Sequence, residues 1–227
     1  MFHKSCINIL RKTFVLATVL FITLSAFGYI FLHIPKIPFY MVSSALKLKE
    51  NREIISKIET INRLREKALM AKNFVNGNGY DQTRCFLLDM RLPSGKSRFF
   101  VYNFEKDSVE IAGLVAHGKG SEKGPDALIF SNTPNSKCTS LGKYKIGKSY
   151  KGDFGLAYKL IGLDNTNSKA LDRFVVLHSY NGVPNIEVYP APICVSEGCP
   201  TVSPEFLTQL KTYLDDAQAP ILLWIYY

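Results

Sequence analysis

The pattern of apolar and polar residues changes twice along the chain. Residues 14–32 are almost entirely apolar and carry no charge, and a short basic stretch, residues 1–13, precedes them. From about Met41 to Phe74, apolar residues recur every three or four positions and charged residues fill the intervals. This period predicts an amphipathic helix. From Cys85 onward, short apolar runs separated by glycine and proline predict strands.

The predicted helix belongs to a segment, residues 33–80, that joins the apolar stretch to the strands. Pro35 and Pro38 favour an extended connector before the helix, and the turn residues 76–79 end it. The spacing fits one long helix or two short ones. We expect its apolar face to pack against the following domain, and the alternative is a spacer or a partner-binding stalk. The periodic apolar residues are Ile54, Ile55, Ile58, Ile61, Leu64, Ala68 and Leu69.

The strand-forming part, residues 81–227, is predicted to be one β-rich domain. Its late helix begins after Ser203, a side-chain cap followed by Pro204, and ends near Asp216. Many short strands with one helix indicate a mostly β, β-rich α+β fold, with antiparallel strands in a sandwich or small barrel. The most apolar run, 174–177, is expected to be a central strand. The predicted strands are 85–90, 98–103, 108–116, 141–146, 156–163, 174–177 and 221–227.

The order of basic residues followed by an apolar run is typical of exported proteins. Residues 14–32 exceed a usual signal-peptide core of ~7–15 residues and approach the ~20 that span a bilayer. Ala26-Phe27-Gly28 offers a cleavage site, so a signal peptide and a signal anchor are both consistent with the sequence. We favour the uncleaved anchor over the cleaved signal peptide, and export over the alternative of a buried core helix. Basic residues 1–13 then lie in the cytoplasm, and the rest is periplasmic or otherwise extracytoplasmic.

The chain is basic, with a formal net charge of +9. The excess charge is spread along the sequence, and no run of Lys and Arg with interleaved aromatic residues is present. Nucleic-acid binding is therefore not indicated. A basic surface suits an anionic polymer or anionic lipid headgroups.

The sequence contains five cysteines. Cys6 precedes the apolar stretch, and the other four face an oxidising compartment if the chain is exported. A free catalytic thiol at Cys199 leaves three, so at least one of Cys85, Cys138 and Cys194 is unpaired or pairs elsewhere. A Cys138–Cys194 bridge is one pairing that the sequence allows. A Cys194–Cys199 redox switch is another, although its short loop must bend sharply to meet disulfide geometry.

The strongest chemical signal is the run Ser-Glu-Gly-Cys at residues 196–199, downstream of the apolar run 174–177 that leads to His178. A thiolate is the reactive form of cysteine, and a nearby imidazole makes it available near neutral pH. Gly198 permits a strained turn that brings backbone N–H groups close to a substrate carbonyl. We therefore interpret Cys199 as a nucleophile and His178 as its base, rather than as a structural cysteine and a strand-end histidine.

The remaining histidines give one further candidate. His3 and His33 lie before or inside the connector, so the choice of base is between His178 and His117. His117 also ends a predicted strand, and we expect it to support the site or contact substrate. The cysteines and histidines have no recognised zinc spacing, so neither a metal nor another cofactor is expected.

These motifs resemble those of the L,D-transpeptidases, whose catalytic domain is often named for YkuD. His178-Ser179 followed by the run at 196–199 is similar to the catalytic motif of this family. A wider set of short motifs, between about Cys85 and Ser203, resembles a divergent branch, the murein L,D-transpeptidase catalytic-domain family. That set comprises 115–121, Ser131-Asn132, Ser140-Leu141-Gly142, Tyr150-Lys151-Gly152 with Gly155, and Ser196 to Pro200.

The chain departs from common members of the family at two positions beside the cysteine. Glu197 stands where they have a second histidine, and Thr201 stands where they have arginine or asparagine. The divergent branch tolerates both departures.

The resemblance implies a cysteine acyltransferase of peptidoglycan without a cofactor. Cys199 would attack the third residue of a tetrapeptide stem, His178 would act as base, and the backbone carbonyl of Ser179 would orient His178. The N–H groups of Gly198 and Cys199 would stabilise the oxyanion. The thioester would pass to an amine of a second stem and form a 3→3 cross-link. Residues expected to line the substrate site are Ser196, Glu197, His117 and Asn132.

The family resemblance leaves three alternatives open. Water in place of the amine makes the same enzyme an L,D-carboxypeptidase or endopeptidase. A catalytically inactive cell-wall-binding module and a redox-regulated thiol protein are the others. The partners expected are peptidoglycan stem peptides and, through residues 14–32, the inner membrane. The family also implies that carbapenems acylate the thiol.

Overall fold

The computed structural model describes residues 22–25, 39–124 and 127–227, with side chains of the first long helix from residue 47 onward. The predicted membrane segment, 14–32, lies outside these residues except for 22–25, which are helical. Within the described part of the chain, no helix is both long and apolar enough to cross a bilayer. The chain divides into two compact units, Met1–Lys57 and Ile58–Tyr227.

A single helix, α1 (Phe39–Val75), occupies the region where the apolar period predicted one long helix or two short ones. Within the second unit, its last turns pack on the sheet through Leu64, Ala68, Ala71 and Val75. The expected packing of the helix against the following domain is therefore present. The buried stripe is narrower than the sequence pattern indicated, because Ile58, Ile61 and Leu69 are exposed.

After α1, the described part of the chain forms ten strands, a short 3-10 helix (Lys119–Ser121) and a second α-helix, α2 (Pro204–Asp216), joined by loops. Ser203 caps α2 as predicted, because its Oγ accepts a hydrogen bond from Phe206 N at 3.1 Å. The strands are β1 (Arg84–Asp89), β2 (Phe99–Asn103), β3 (Ser108–Gly113), β4 (Glu122–Gly124), β5 (Ala127–Leu128), β6 (Gly142–Gly152), β7 (Gly155–Gly162), β8 (Val176–Ser179), β9 (Thr201–Val202) and β10 (Leu222–Tyr226).

Eight of the strands form one sheet in the order β3-β2-β1-β10-β6-β7-β8-β9, and β4 pairs with β5. Neighbouring strands are antiparallel except for β1–β10 and β8–β9, which are parallel. The prediction of a mostly β fold with few helices is confirmed.

The prediction that residues 174–177 form a central strand is wrong. Strand β8 begins at Val176 and lies next to the end of the sheet, whereas β10 and β6 occupy its middle. Phe174 has a φ of +54° and is 83% exposed. The chain turns before β8, because Phe174 N donates to Leu171 O and Val175 N donates to Ala170 O. The apolar run therefore spans a turn as well as a strand.

Apolar cores cover both faces of the sheet. Helix α2 packs on one face through Phe206, Leu207 and Leu210, and the ring of Phe206 meets that of Phe99 edge-on at 5.3 Å. The last turns of α1 pack on the other face with Leu87 and other sheet residues. A sheet covered on both faces holds its strand ends rigidly, which is what a catalytic site requires.

The two edges of the sheet approach each other where the chain leaves β3. Ala116 N donates to Thr201 O of β9 at 2.7 Å, and Gly118 forms a bridge with Ser196. A Cβ at Gly118 would lie 2.7 Å from Gly198 Cα, so the two backbones meet only because this residue is glycine. This closure brings the chain beyond β3 against the predicted nucleophile loop.

Candidate active site

The loop at residues 196–199 is a tight turn with its own hydrogen bonds. Ser196 Oγ donates to Cys199 O at 2.6 Å and accepts from Gly198 N at 3.1 Å. Gly198 has a φ of +123°, a conformation that L side chains rarely adopt. Ser196 N also donates to His117 O, at 2.8 Å. The backbone around Cys199 is therefore fixed from two sides.

The thiol of Cys199 lies against the backbone that leads into β8. Val176 N donates to Sγ at 3.5 Å, and Sγ lies 3.7 Å from Phe174 O, to which it donates. Burial raises the pKa of the Cys199 thiol, while the Val176 N–H and the charge of Arg173 act to lower it. The resting side chain is a thiol. Of the two groups that favour a thiolate, the Val176 N–H contacts it directly and Arg173 acts through its charge.

All four cysteines in the described part of the chain are free: Cys85, Cys138, Cys194 and Cys199. Neither the Cys138–Cys194 bridge nor the Cys194–Cys199 switch is formed. Cys138 Sγ instead donates to Gly120 O at 3.0 Å. The sulfur of Cys199 is thus not held in a bridge.

His178 lies in β8 with both ring nitrogens hydrogen-bonded. Nδ1 lies 3.0 Å from Ser179 O, and Nε2 lies 3.0 Å from Thr201 Oγ1. The ring of Phe154 stacks on the imidazole with centroids 4.9 Å apart. Burial lowers the pKa of His178, and the bond to the Ser179 carbonyl opposes this shift. The ring is therefore neutral near pH 7 and oriented by its neighbours.

The thiol and the imidazole come from adjacent segments but bond to different groups. His178 pairs with Thr201 in the parallel β8–β9 register, and Cys199 lies two residues before Thr201. In this structure Sγ contacts the backbone of Val176 and Phe174, while Nε2 contacts Thr201. A direct thiol–imidazole contact stays a prediction, and it requires one of the two side chains to exchange its present partner.

Of the two expected oxyanion donors, one already has a partner. Gly198 N–H donates to Ser196 Oγ. Cys199 N–H donates to no other group in the described part of the chain. Binding of a substrate oxygen by either N–H stays a prediction.

Arg173 is a site residue that the sequence did not reveal. Its Nη1 donates to Ser131 O at 2.8 Å and to Ser140 Oγ at 3.1 Å, and its Nη2 donates to Cys138 O at 2.6 Å. All of these partners are uncharged, so the guanidinium charge acts on the nearby Cys199 thiol. A single arginine in a mixed-charge stretch carries no distinctive sequence signal.

Glu197, which stands in place of the family's second histidine, forms ion pairs at the surface. Lys119 bonds one carboxylate oxygen, and Lys137 Nζ lies 3.1 Å from the other. The two lysines lower the pKa of Glu197. Its side chain is 63% exposed, so it lies at the rim of the loop rather than beneath the thiol.

His117 contributes its backbone to the Cys199 loop, but its side chain points elsewhere. Nδ1 bonds to Arg98 Nη2 at 2.8 Å, and Nε2 lies 3.5 Å from Glu122 Oε1. Burial and the charge of Arg98 lower its pKa to about 4. The imidazole lines a separate cavity of about 510 Å³ that neither Cys199 nor His178 lines.

Asn132 joins two loops. Its Nδ2 donates to Asn165 O and to Ser168 Oγ, each at 3.0 Å, and its Oδ1 accepts from Lys169 N at 3.2 Å. All of its amide groups are therefore engaged within the protein. Contact of Asn132 with substrate stays a prediction.

The family of the chain follows from a match to a protein-family model. The model described as the L,D-transpeptidase catalytic domain matches residues 56–226. The chain belongs to this family. The matched range includes every candidate site residue of this L,D-transpeptidase domain, and it also includes the part of α1 that packs on the sheet. Among curated proteins, no sequence matches the chain.

Several solved structures are similar to this L,D-transpeptidase domain at low identity. The helical cell shape determining protein Pgp2 from Campylobacter jejuni has 14% identity and a TM-score of 0.40, covering 65% of this chain and 49% of its own. Bd1075 from Bdellovibrio bacteriovorus has 16% identity and a TM-score of 0.38, with coverages of 64% and 51%. The L,D-transpeptidase from Xylanimonas cellulosilytica has 13% identity and a TM-score of 0.32, covering 63% of this chain and 60% of its own. The chain thus spans about half the length of Pgp2 and Bd1075.

Proposed function

We propose that the chain is a cysteine acyltransferase that acts on the tetrapeptide stems of peptidoglycan and forms 3→3 cross-links. The observation that carries the proposal is the arrangement at the β8–β9 edge. A free thiol, Cys199, is held by a backbone N–H beside a strand that presents a neutral imidazole, His178, oriented by the carbonyl of Ser179. A thiol, a base and an orienting group in this order are the components of nucleophilic cysteine catalysis.

The first half of the reaction is acylation of the thiol. The proton of Cys199 passes to Nε2 of His178, and Sγ forms a bond to the carbonyl carbon of the third residue of the stem. The bond from that carbon to the nitrogen of the terminal D-alanine then breaks. The imidazolium returns the proton to the leaving amine, which leaves a thioester on Cys199 and a neutral ring.

The second half transfers the acyl group. The amine of a second stem attacks the thioester, His178 takes its proton, and the thiolate leaves and is reprotonated. The product is an amide between two third residues, which is the 3→3 cross-link. A net charge of +9 supports residence of the domain near a carboxylate-rich polymer.

We propose that the N–H of Cys199, which has no hydrogen-bond partner in the described part of the chain, binds the oxygen that becomes negative when the carbonyl is attacked. Such a donor contributes ~3 kcal/mol to transition-state stabilisation in other enzymes. The N–H of Gly198 joins it only if Ser196 Oγ gives up its bond to Gly198. We propose that Ser196 and Glu197 border the bound stem on this side, and that residues 14–32 anchor the domain outside the cytoplasm.

The decisive experiment is intact-protein mass spectrometry of the full chain with a carbapenem. We expect one covalent adduct on the wild type and none on Cys199→Ala, since the sulfur is the acylated atom. A control protein with Cys138→Ala, which also lacks one thiol, should retain the adduct. An adduct on Cys199→Ala, or none on the wild type, contradicts the proposal.

The role of the base is tested by His178→Ala. We expect adduct formation to slow by about 100-fold or more, the usual effect of losing a general base. A rate equal to that of the wild type reassigns the base. Muropeptide analysis after expression then identifies the acyl acceptor: new 3→3 dimers indicate an amine, and tripeptides alone indicate water.

A further inference from the structure

Thr201 lies beside Nε2 of His178, the ring nitrogen that is proposed to take the proton of Cys199. It is the first residue of β9, it is 3% exposed, and it pairs with His178 in the sheet register. Its Oγ1 lies 3.0 Å from His178 Nε2 and 3.3 Å from Cys199 O. The branched Cβ restricts its χ1 angle, so the hydroxyl oxygen has little freedom to move.

The bonds of His178 fix which ring nitrogen carries the hydrogen. A carbonyl oxygen only accepts hydrogen bonds, so the contact between Nδ1 and Ser179 O places the hydrogen on Nδ1. The neutral ring therefore has its lone pair on Nε2. The hydroxyl of Thr201 has one hydrogen, which it donates either to that lone pair at 3.0 Å or to Cys199 O at 3.3 Å. The contact with the neutral ring is a hydrogen bond when the hydrogen points to Nε2.

We propose that Thr201 is a positioning residue for the acyl transfer proposed above, and that its hydroxyl holds Nε2 of His178 in both protonation states of the ring. The inference rests on that proposed function. In the neutral state Thr201 donates to Nε2. For the transfer, the hydroxyl first turns its hydrogen to Cys199 O, which frees the Nε2 lone pair, and Sγ leaves Phe174 O to donate to it. The hydroxyl oxygen then accepts from the new Nε2–H. The proton lost by Sγ is the one gained by Nε2, and Thr201 keeps its hydrogen throughout.

The surroundings of the ring make this hydroxyl important. Phe154 covers one face of the imidazole, and Ser179 O occupies Nδ1. Within the described part of the chain, no carboxylate bonds to the ring, and Arg173 is the charged group near the thiol. An imidazolium formed at this buried position therefore depends on neutral acceptors, of which Thr201 Oγ1 is the one at Nε2.

The test compares Thr201→Val with Thr201→Ser in the full chain. Valine keeps the shape and strand preference of threonine and removes the hydroxyl, whereas serine keeps the hydroxyl. We expect the rate of carbapenem acylation to fall by about 10-fold or more in Thr201→Val and to stay within about threefold of the wild type in Thr201→Ser. Melting curves establish whether each variant is folded. If Thr201→Val does not fold, Thr201→Ala is measured in its place.

A second measurement does not depend on activity. The bond from an imidazolium to the hydroxyl is charge-assisted and stronger than the bond in the neutral state. Its loss in Thr201→Val should lower the pKa of His178 further, as followed by NMR of the ring, and shift the pH profile of acylation in the same direction. Thr201→Ser should titrate like the wild type.

Three outcomes overturn the inference: an unchanged acylation rate in Thr201→Val, a serine variant as slow as the valine variant, or a His178 titration that the valine variant leaves unmoved. A wild-type protein that forms no adduct at Cys199 overturns the proposed function instead. In that case the ring titration still tests whether Thr201 holds His178.

Discussion

At the scale of single residues, the thiol of Cys199 is under two opposing influences. Burial raises its pKa, and the N–H of Val176 and the guanidinium of Arg173 lower it. Arg173 donates to uncharged groups, among them Ser131 O and Cys138 O. Among the described residues, no carboxylate bonds to it. We infer that Arg173 both holds the neighbouring loop in place and favours the thiolate.

Replacing Arg173 with methionine tests this electrostatic role. Removal of the positive charge disfavours the thiolate, so the pKa of Cys199 should rise. Alkylation of Cys199 by iodoacetamide at pH 7.5 should then slow by about threefold or more, and its pH profile should move to higher pH. The measurement follows the modified peptide by mass spectrometry.

Two variants serve as controls for this experiment. Arg173→Lys keeps the charge and loses part of the hydrogen bonding, so it should retain most of the rate. Lys151→Met removes an exposed charge from β6 and should leave the rate unchanged. If Arg173→Met reacts at the wild-type rate, the electrostatic role is wrong.

Only some of the residues at the candidate site could be predicted from the sequence. Cys199 and His178 have distinctive neighbours along the chain, so their chemistry was predicted. Arg173 and Thr201 have none. Their roles depend on a turn before β8 and on the pairing of β8 with β9, which no local pattern encodes.

At the scale of secondary-structure elements, the junction of α1 with β1 combines apolar packing and a buried ion pair. Asp89 is fully buried, and Arg63 of α1 donates to its Oδ2 from Nε at 3.1 Å and from Nη2 at 2.9 Å. Asp89 Oδ1 accepts from Arg91 N at 3.0 Å. The helix that the family match includes is thus attached to the sheet by charge as well as by its apolar stripe.

Arg63→Ala should destabilise the protein strongly. The substitution leaves the Asp89 carboxylate buried without its cation, a change that costs about 3–5 kcal/mol in other proteins. Urea denaturation followed by circular dichroism measures the loss in the free energy of unfolding.

Arg65→Ala is the matched control in the same helix. Arg65 faces Asp107 at 3.8 Å with both side chains largely exposed, so its loss should cost at most about 1 kcal/mol. Equal effects of the two substitutions would show that the Arg63–Asp89 pair does not anchor the helix.

At the scale of the whole molecule, the two edges of the sheet meet, and the imidazole of His117 is buried there, away from Cys199. The segment after β3 crosses to β9, and His117 lies within it with 5% exposure. Burial and the charge of Arg98 lower the pKa of His117 to about 4, while Glu122 acts in the opposite direction. The fold therefore holds this imidazole neutral over the physiological range.

Stability should decrease on acidification because of His117. In the unfolded chain a histidine takes up a proton near pH 6.5, whereas in the folded protein His117 does so only near pH 4. Between these values the unfolded state binds more protons, so the free energy of unfolding falls as the pH falls. A shift from 6.5 to about 4 corresponds to about 3 kcal/mol, which is fully present above about pH 6.5.

Urea denaturation of the wild type and of His117→Gln at a series of pH values isolates this contribution. The difference between the two proteins should change between pH 6.5 and pH 4 and stay constant above pH 7. A constant difference over the whole range contradicts the assignment.

The sequence by itself determined the features that depend on neighbours within one element. The spacing of apolar residues specified α1, alternating apolar runs specified most strands, and Ser203 with Pro204 specified the start of α2. The residues around Cys199 and His178 specified the candidate chemistry and the family.

Only the tertiary structure decided how those elements meet. It placed β8 beside the end of the sheet, turned His117 away from the thiol, and brought Arg173 and Thr201 to the site. It also gave the thiol and the imidazole separate partners in the resting protein. The physical reason is that these contacts join segments far apart in the chain. Their geometry depends on how the whole sheet packs and closes, whereas sequence patterns record the preferences of neighbouring residues.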